Sequence, residues 1–175
     1  MEEQCYLDKD RIPVFIGKSG SQKRAFEKKF ACKIDVNSKT GEVVIDYGDD
    51  SVAGFVLANI VHAVNYGHSP EHAMQLENET FVIDTIDVKD YVKDSRRLKV
   101  VMGRIIGKEG STRKVVEDIT KCSISVKDHF VSVIGPYENT LLVHEALSML
   151  IKGASHKSLY SYLERNKSQV DSGLL

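Results

Sequence analysis

The sequence predicts an α+β protein built from two copies of one domain. Three observations support this fold class: an ungapped internal repeat, an alternation of helix-type and strand-type hydrophobic patterns within each copy, and a composition typical of a folded protein. The chain has 175 residues, of which 42% are hydrophobic and 28% charged, with 12 Gly and 3 Pro. A chain of this length can form one ordinary core or two small ones, and the repeat favours two.

The repeat is centred on a glycine motif. Residues 16–21 (IGKSGS) align with residues 106–111 (IGKEGS), and the alignment needs no gap until Val36 meets Val126. Nine of these 21 aligned positions are identical. The identities beyond the glycine motif are Glu27 with Glu117, Cys32 with Cys122, Ile34 with Ile124 and Val36 with Val126.

The first copy predicts the order strand, helix, glycine motif, helix, strand, strand, helix. Residues 21–30 place Ala25, Phe26 and Phe30 at helical spacing, and residues 32–36 alternate apolar and polar side chains as in a half-buried strand. The predicted elements are a strand at 4–7, a short helix before the motif, a helix at 21–30, strands at 32–36 and 42–47, and a helix at 51–66.

The second copy predicts the same order. Val115, Val116 and Ile119 have helical spacing after the second glycine motif. The predicted elements are a strand at 81–87, a helix before the motif, a helix at 111–120, strands at 122–126 and 129–134, a helix at 137–152 and a helical tail at 158–167. We therefore expect a first domain at 1–75, a second domain at 76–155 and a C-terminal helical tail at 156–175, with a linker around 67–70.

Basic residues are concentrated around both glycine motifs, although the formal net charge is only -1. Residues 17–34 hold six basic side chains and one acidic one, and residues 96–127 hold nine basic and three acidic ones. The segment between them, residues 37–95, has eleven acidic side chains and three lysines. Two local positive fields on an acidic body indicate a surface that meets phosphates at two places.

This element order, together with the Ile-Gly-x-x-Gly signature, resembles the type I KH domain, and residues 103–110 (GRIIGKEG) match it best. The resemblance implies two tandem KH domains, each with a three-stranded antiparallel sheet packed against three helices. The spacing of the two units, their acidic connector and residues 103–114 resemble the archaeal form of the KH-domain assembly factor of the small ribosomal subunit.

That family resemblance implies an RNA-binding, non-enzymatic role in ribosome biogenesis and rRNA processing. Its members bind near the 3′ end of small-subunit rRNA and partner the PIN-domain endonuclease that trims it; a translation initiation factor is a further candidate partner. Eukaryotic members have lost the glycine motif of the first KH unit, whereas residues 17–20 of this chain keep it. Both units are therefore candidates for RNA binding here.

The glycine motifs suit a single-stranded RNA backbone. Glycine lets the main chain approach a sugar-phosphate chain closely, the following helix directs N–H groups at phosphate, and Lys18 and Lys108 add charge. In the KH arrangement that the resemblance implies, bases turn toward an apolar groove between the helix before each motif and the strand bearing Ile34 or Ile124. Both isoleucines also fit a core position. The expected RNA-binding residues are Ile16, Gly17, Lys18, Ser19, Gly20, Lys23, Arg24, Arg104, Ile106, Gly107, Lys108, Glu109, Gly110, Ser111, Arg113, Lys114 and Ile124.

Patterns that indicate an enzyme are incomplete. Only three residues separate Gly103 from Gly107, and Glu109 stands where a phosphate-binding loop of an NTPase needs Ser or Thr. His68 and His72 lack further ligands for a metal, so we expect solvent-exposed linker histidines. We expect no enzymatic activity, no cofactor and no metal.

Two other functions stay open: a protein-interaction scaffold built on KH units, and an RNA-binding regulator of translation. The tail at 156–175 places Leu159 and Leu163 on one face, which suits either protein docking or packing on the second domain. The acidic N-terminus and the lack of a long apolar stretch predict a cytoplasmic protein that does not span a membrane. Three cysteines without a paired spacing predict reduced thiols.

Overall fold

The computed structural model describes residues 1–171, and the side chains of residues 1–167. The chain divides into two compact units, Met1–Asn78 and the residues from Glu79 onward. Each unit contains one three-stranded antiparallel sheet and several helices, which confirms the predicted α+β class and the two KH-like units. The last four residues of the predicted tail, 172–175, lie outside the described part of the chain.

The first unit forms a sheet in the order β1-β3-β2. Its elements are β1 (Glu2–Tyr6), α1 (Ile12–Ile16), a 3-10 turn (Lys18–Gly20), α2 (Ser21–Lys29), β2 (Lys33–Val36), β3 (Glu42–Asp46), α3 (Ser51–Asn65), α4 (Pro70–Ala73) and a second 3-10 turn (Met74–Glu77). Val43, Ile45 and Ile34 are fully buried on β3 and β2, alternating with more exposed side chains, as the sequence pattern predicted.

The second unit repeats this topology with the sheet order β4-β6-β5. Its elements are β4 (Phe81–Asp87), a 3-10 turn (Val88–Asp90), α5 (Ser95–Ile106), a 3-10 turn (Lys108–Gly110), α6 (Ser111–Thr120), β5 (Ser123–Lys127), β6 (Phe130–Pro136), α7 (Tyr137–Ile151) and α8 (His156–Asp171). The Asp94 carboxylate caps α5 by accepting a 2.8 Å hydrogen bond from the Arg97 N–H, which fixes the start of the helix that leads into the second glycine motif.

The tail helix α8 belongs to the core of the second unit. Leu159 and Leu163 are fully buried there, in one cluster with Leu147, Leu150 and Ile151 of α7. The apolar face that the sequence left open as a docking surface is thus used for packing. None of the helices within residues 1–171 has the length and hydropathy needed to cross a bilayer.

The prediction that His68 is exposed is wrong: only 2% of its surface is accessible. After α3 the chain turns sharply at Gly67, and the His68 N–H donates to the Ala63 carbonyl at 3.1 Å. The His68 carbonyl accepts from Arg11 Nη2 at 2.8 Å, so the segment expected as a linker is held against the first unit. His72 is exposed, as predicted.

Candidate nucleic-acid interface

The two glycine motifs adopt the same backbone conformation. Gly17 and Gly107 have φ/ψ of 73/174° and 75/170°, and Gly20 and Gly110 have 76/16° and 78/15°. The third loop residue is also left-handed in both copies, with φ of 53° in the first and 54° in the second. Three of four loop positions therefore have positive φ; glycine, which this conformation favours, occupies the first and last of them, and Ser19 or Glu109 occupies the third loop position.

The first and last glycines are needed for different reasons. A Cβ at Gly107 would lie 2.5 Å from the Thr112 backbone nitrogen, and one at Gly17 would lie 2.9 Å from the Gln22 nitrogen. A side chain at Gly110, by contrast, would meet nothing within 4 Å. The first glycine lets the loop fold against the next helix, and the last leaves bare main chain at the surface.

Each loop leads directly into a helix whose N-terminus has no side-chain cap, α2 after Gly20 and α6 after Gly110. Lys18 and Lys108, at the second loop position, are exposed. The uncapped first turn has backbone N–H groups and the positive end of the helix dipole, both of which favour a phosphate.

The repeated glutamate of α2 and α6 supports the neighbouring strand. Glu27 Oε1 accepts from the Ile34 N–H at 2.9 Å, and Glu117 Oε1 accepts from the Ile124 N–H at 2.7 Å. Burial raises the pKa of Glu27, but hydrogen bonds from the Ile34 N–H and from Lys23 outweigh it and hold the pKa below its ordinary value. This role explains why the glutamate is identical in both repeats.

Several expected RNA-binding side chains are used within the fold instead. Lys23 donates to Glu27 at 2.9 Å and also to the Ile34 carbonyl. Arg104 donates from Nη1 to the Leu150 carbonyl at 3.0 Å, and from Nη2 to the carbonyl of Ala154. Arg104 thereby holds the C-terminal end of α7, as Arg11 holds the segment after α3 in the first unit through Val64 and His68.

Ile124 lies in the core and not in a groove. It is 5% exposed and belongs to the buried cluster of the second unit, and its counterpart Ile34 is fully buried. Ile106, in contrast, is 37% exposed at the end of α5.

An open groove beside α5, of about 520 Å³, ends at the second glycine motif. One wall is a face of α5, and the other is the β5–β6 turn with Lys89 of the 3-10 turn that follows β4. The lining residues are Lys89, Leu98, Lys99, Met102, Gly103, Ile106, Asp128 and His129. Of these residues only Ile106 is among the expected RNA-binding residues, because the others meet only when the turn folds over the helix. The helical spacing of Leu98, Met102 and Ile106 is the one signal of the groove in the sequence.

The first unit has a smaller counterpart of about 390 Å³. Lys9, Ile12, Pro13, Ile16, Gly17 and Ser38 line it. Each groove therefore lies between the helix before its glycine motif and the turn between the last two strands of its unit.

The remaining expected residues surround the loops. The Arg24 side chain lies over the first loop. If Gly20 had a Cβ, that atom would be 3.0 Å from Nη1 of the Arg24 guanidinium. Ser111 and Lys114 are exposed on the first turns of α6. Arg113 is half-buried, with its Nε 3.8 Å from the Glu117 carboxylate.

The cysteines fit a structural role. Burial raises the pKa of the Cys5 thiol to about 11, and it also raises the pKa of Cys122, which is 3% exposed. Cys32, at the equivalent repeat position, is half-buried, so the two repeats pack this side chain to different depths. Among the side chains that the structure describes, residues 1–167, no three His, Cys, Asp or Glu come together as metal ligands.

Comparison with known proteins agrees with this geometry. Residues 82–168 match the family model described as eukaryotic type KH-domain (KH-domain type I). The KH domain-containing protein MJ0443 of Methanocaldococcus jannaschii is 35% identical over 94% of this chain and 73% of its own length. The chain belongs to this KH-domain family. The resemblance inferred from residues 103–114 is thereby confirmed at the level of the family.

A solved structure extends the similarity to both units. It is the a/eIF2alpha-aDim2p-rRNA complex from Pyrococcus horikoshii, in which the matching chain is 38% identical, with a TM-score of 0.90 over 97% of this chain and 95% of that one. Eukaryotic relatives are longer: the chain spans 60% of the RNA-binding protein pno1 of Dictyostelium discoideum, at 28% identity over 79% of this chain. It spans 56% of the pre-rRNA-processing protein PNO1 of Debaryomyces hansenii, at 26% identity over 79% of this chain.

Proposed function

We propose that the protein binds single-stranded RNA and acts, without catalysing a reaction, in cytoplasmic assembly of the small ribosomal subunit. The observation that carries this proposal is the double occurrence of one loop. Each copy has the same left-handed backbone, an exposed lysine, an uncapped helix start and an adjacent apolar groove. KH domains use such a loop to clamp about four nucleotides.

The geometry supports a division of labour within each unit. Phosphates would lie on the bare main chain at Gly20 or Gly110, near the lysine of the loop and the first turn of the next helix. The bases would enter the groove along α1 or α5. Its aliphatic lining, with Ile16 in the first unit and Met102 and Ile106 in the second, suits the apolar faces of bases.

We propose the second unit as the main RNA clamp. Its groove is larger, and Lys89 and Lys99 extend the positive field from Lys108 along the groove wall. The first groove has one lysine in its lining, Lys9. Electrostatic attraction to phosphates is the main sequence-independent contribution to RNA affinity, so the unit with the denser field should bind more tightly.

The family relationship supports a proposal for the target and the partners. The aDim2p relative has been crystallised with rRNA and a/eIF2alpha, and the Debaryomyces relative is named for pre-rRNA processing. We propose the 3′ region of small-subunit rRNA as the target, the alpha subunit of a translation initiation factor as one partner, and the PIN-domain endonuclease that trims the rRNA 3′ end as another.

Fluorescence anisotropy with labelled oligonucleotides tests the RNA proposal. A single-stranded oligonucleotide from the 3′ end of small-subunit rRNA should bind, a duplex of the same sequence should bind more weakly, and log affinity should fall with log salt by about 0.7 for each phosphate neutralised. Equal binding of duplex and single strand, or a flat salt response, would favour the protein-interaction scaffold instead. Crosslinking in cells, followed by mapping of the bound RNA, would then identify the target.

A further inference from the structure

A histidine-carboxylate pair forms part of the wall of the second groove. His129, in the β5–β6 turn, places Nδ1 2.8 Å from Oδ1 of Asp87 at the end of β4. The same carboxylate oxygen accepts from the Lys89 N–H at 2.9 Å, and the His129 carbonyl accepts from the Val88 N–H at 3.0 Å. The ring also contacts the Phe130 ring, with centroids 4.0 Å apart and planes inclined by 40°. Two contacts therefore hold the imidazole itself, and the two backbone hydrogen bonds hold its partner carboxylate and the turn that bears the ring.

The pair determines which ring nitrogen bears the proton. Burial raises the pKa of the Asp87 carboxyl, but hydrogen bonds from the Lys89 N–H and from His129 outweigh it and hold the pKa below its ordinary value. An ionised carboxylate only accepts hydrogen bonds, so Nδ1 must bear the hydrogen. In the neutral ring Nε2 then has a lone pair, and among residues 1–167, whose side chains are described, no group donates a hydrogen bond to it.

Nε2 belongs to a side chain that lines the groove and retains 22% exposure. The other charged groups along this groove are Lys89, Lys99 and Asp128. The corresponding turn of the first unit contributes Ser38 to its groove and has no histidine. The pair is thus a specific feature of one of two otherwise repeated grooves.

We propose that His129, positioned by Asp87, recognises a base in the second groove by accepting a hydrogen bond at Nε2 from an exocyclic amino group. This inference rests on the proposed RNA-binding function and adds a base preference to it. Adenine, cytosine and guanine each have an amino donor. Uracil has none: its single base N–H is on a ring atom, set back from the edge from which an exocyclic amino group projects, so in the same pose it would not reach Nε2. The groove should therefore prefer amino bases over uracil at one position.

The test compares single-stranded RNAs that differ only at one position, with A, C, G or U there, scanned along a four-nucleotide window. Wild-type protein should disfavour uracil at one position by about five-fold, the value of one hydrogen bond. His129→Phe, which keeps an aromatic ring beside Phe130, should lose that preference. His144→Phe is the matched control, because it removes a similar pair with Asp84, which is not part of the groove lining, and it should keep the preference.

Nitrogen-15 NMR of the free wild-type protein tests the orientation independently of any variant. The His129 ring should show a protonated Nδ1 and an unprotonated Nε2. Asp87→Ala should shift the ring toward the tautomer with hydrogen on Nε2, which free histidine favours, and should reduce discrimination against uracil. A wild-type ring with hydrogen on Nε2, or an unchanged preference in folded His129→Phe, would overturn the inference while RNA binding itself stood. Absence of any single-strand binding would instead reject the proposed function, and this inference with it.

Discussion

Two properties decide how strongly each position of the glycine motif requires glycine: the backbone conformation there and the space available for a Cβ. Gly107 has a positive φ and a neighbouring helix backbone that leaves no room for a Cβ, whereas Gly110 has the same φ sign and open space. Gly103, one turn earlier in α5, has helical geometry and no neighbour within 4 Å of a Cβ. Adding a methyl group should therefore change the free energy of unfolding differently at these three glycines.

Alanine substitutions should separate these three cases. We expect Gly107→Ala to be the most destabilising, by about 3 kcal/mol, because strain at positive φ adds to the steric overlap with Thr112. Gly110→Ala should cost about 1 kcal/mol from φ alone, and Gly103→Ala should stabilise by about 0.5–1 kcal/mol. Urea unfolding followed by circular dichroism measures all three. A Gly110 variant as unstable as the Gly107 variant would contradict the steric argument.

The Glu27 carboxylate links the stability of the first unit to pH. Its pKa is lower in the folded protein than the ordinary value of 4.5. Its contribution to the free energy of unfolding is therefore complete well above pH 4.5, and it is lost as the pH falls through the lowered pKa of the folded protein. Glu27→Gln should therefore destabilise the protein by about 1–2 kcal/mol at pH 7 and by much less near pH 3. Exchange of the Ile34 amide hydrogen at the two pH values reports the difference. An equal effect at both pH values would show that the carboxylate charge is not responsible.

The C-terminal end of helix α7 binds Arg104, a side chain that the sequence predicted to contact RNA. Arg104 lies three residues before the glycine motif, within the basic segment, and proximity in sequence predicted an RNA contact. Its guanidinium instead satisfies the Leu150 and Ala154 carbonyls at the end of α7, 46 and 50 residues away. The last carbonyls of a helix have no partner within the helix, and a cation there also suits the helix dipole.

Arg104 and Lys114 should consequently respond in opposite ways to substitution. Arg104→Leu should lower stability by about 2–3 kcal/mol, because two charge-assisted hydrogen bonds are lost, while the salt dependence of RNA binding stays unchanged. Lys114→Ala removes an exposed charge and should leave stability within about 0.5 kcal/mol, while the slope of log affinity against log salt falls by about 0.7. Thermal unfolding and anisotropy titrations give both quantities. If the Arg104 variant also showed a smaller slope of log affinity against log salt, Arg104 would be a residue that contacts RNA.

Element type and order were predictable from the sequence because they depend on local periodicity. Phe81–Asp87 and Ser111–Thr120 match their predicted bounds, and most other ends differ by one or two residues. The groove of the second unit was only partly predictable. Leu98 and Met102 share a helical face with Ile106, but Lys89 and His129 reach the groove through β-sheet pairing and a turn, which no local pattern encodes. Burial of His68 and Ile124 depends equally on tertiary packing.

At the scale of the whole molecule, one loop occurs twice in different electrostatic surroundings. The loops have the same backbone, and they differ at the third position, where Ser19 in the first is replaced by Glu109 in the second. The Glu109 carboxylate should weaken phosphate binding by repulsion, which alone favours the first loop. Lys89, Lys99 and Lys114 surround the second loop and groove, however, and we expect their combined field to outweigh the exposed carboxylates of Glu109 and Asp128.

Replacing the two middle loop residues by aspartate in one unit at a time tests which field dominates. The third position has φ near 54° in both loops, and aspartate tolerates that left-handed conformation, so both glycines and the fold should be preserved. Lys108→Asp with Glu109→Asp removes the loop cation and should abolish most RNA affinity. The matched change, Lys18→Asp with Ser19→Asp, makes the first loop more negative by three charge units, against two in the second loop. It should nevertheless reduce RNA affinity less than the change in the second loop. Anisotropy titrations at fixed salt, on variants with wild-type circular dichroism spectra, give the ranking. If the first-unit variant lost more affinity, the second unit would have to be abandoned as the main clamp.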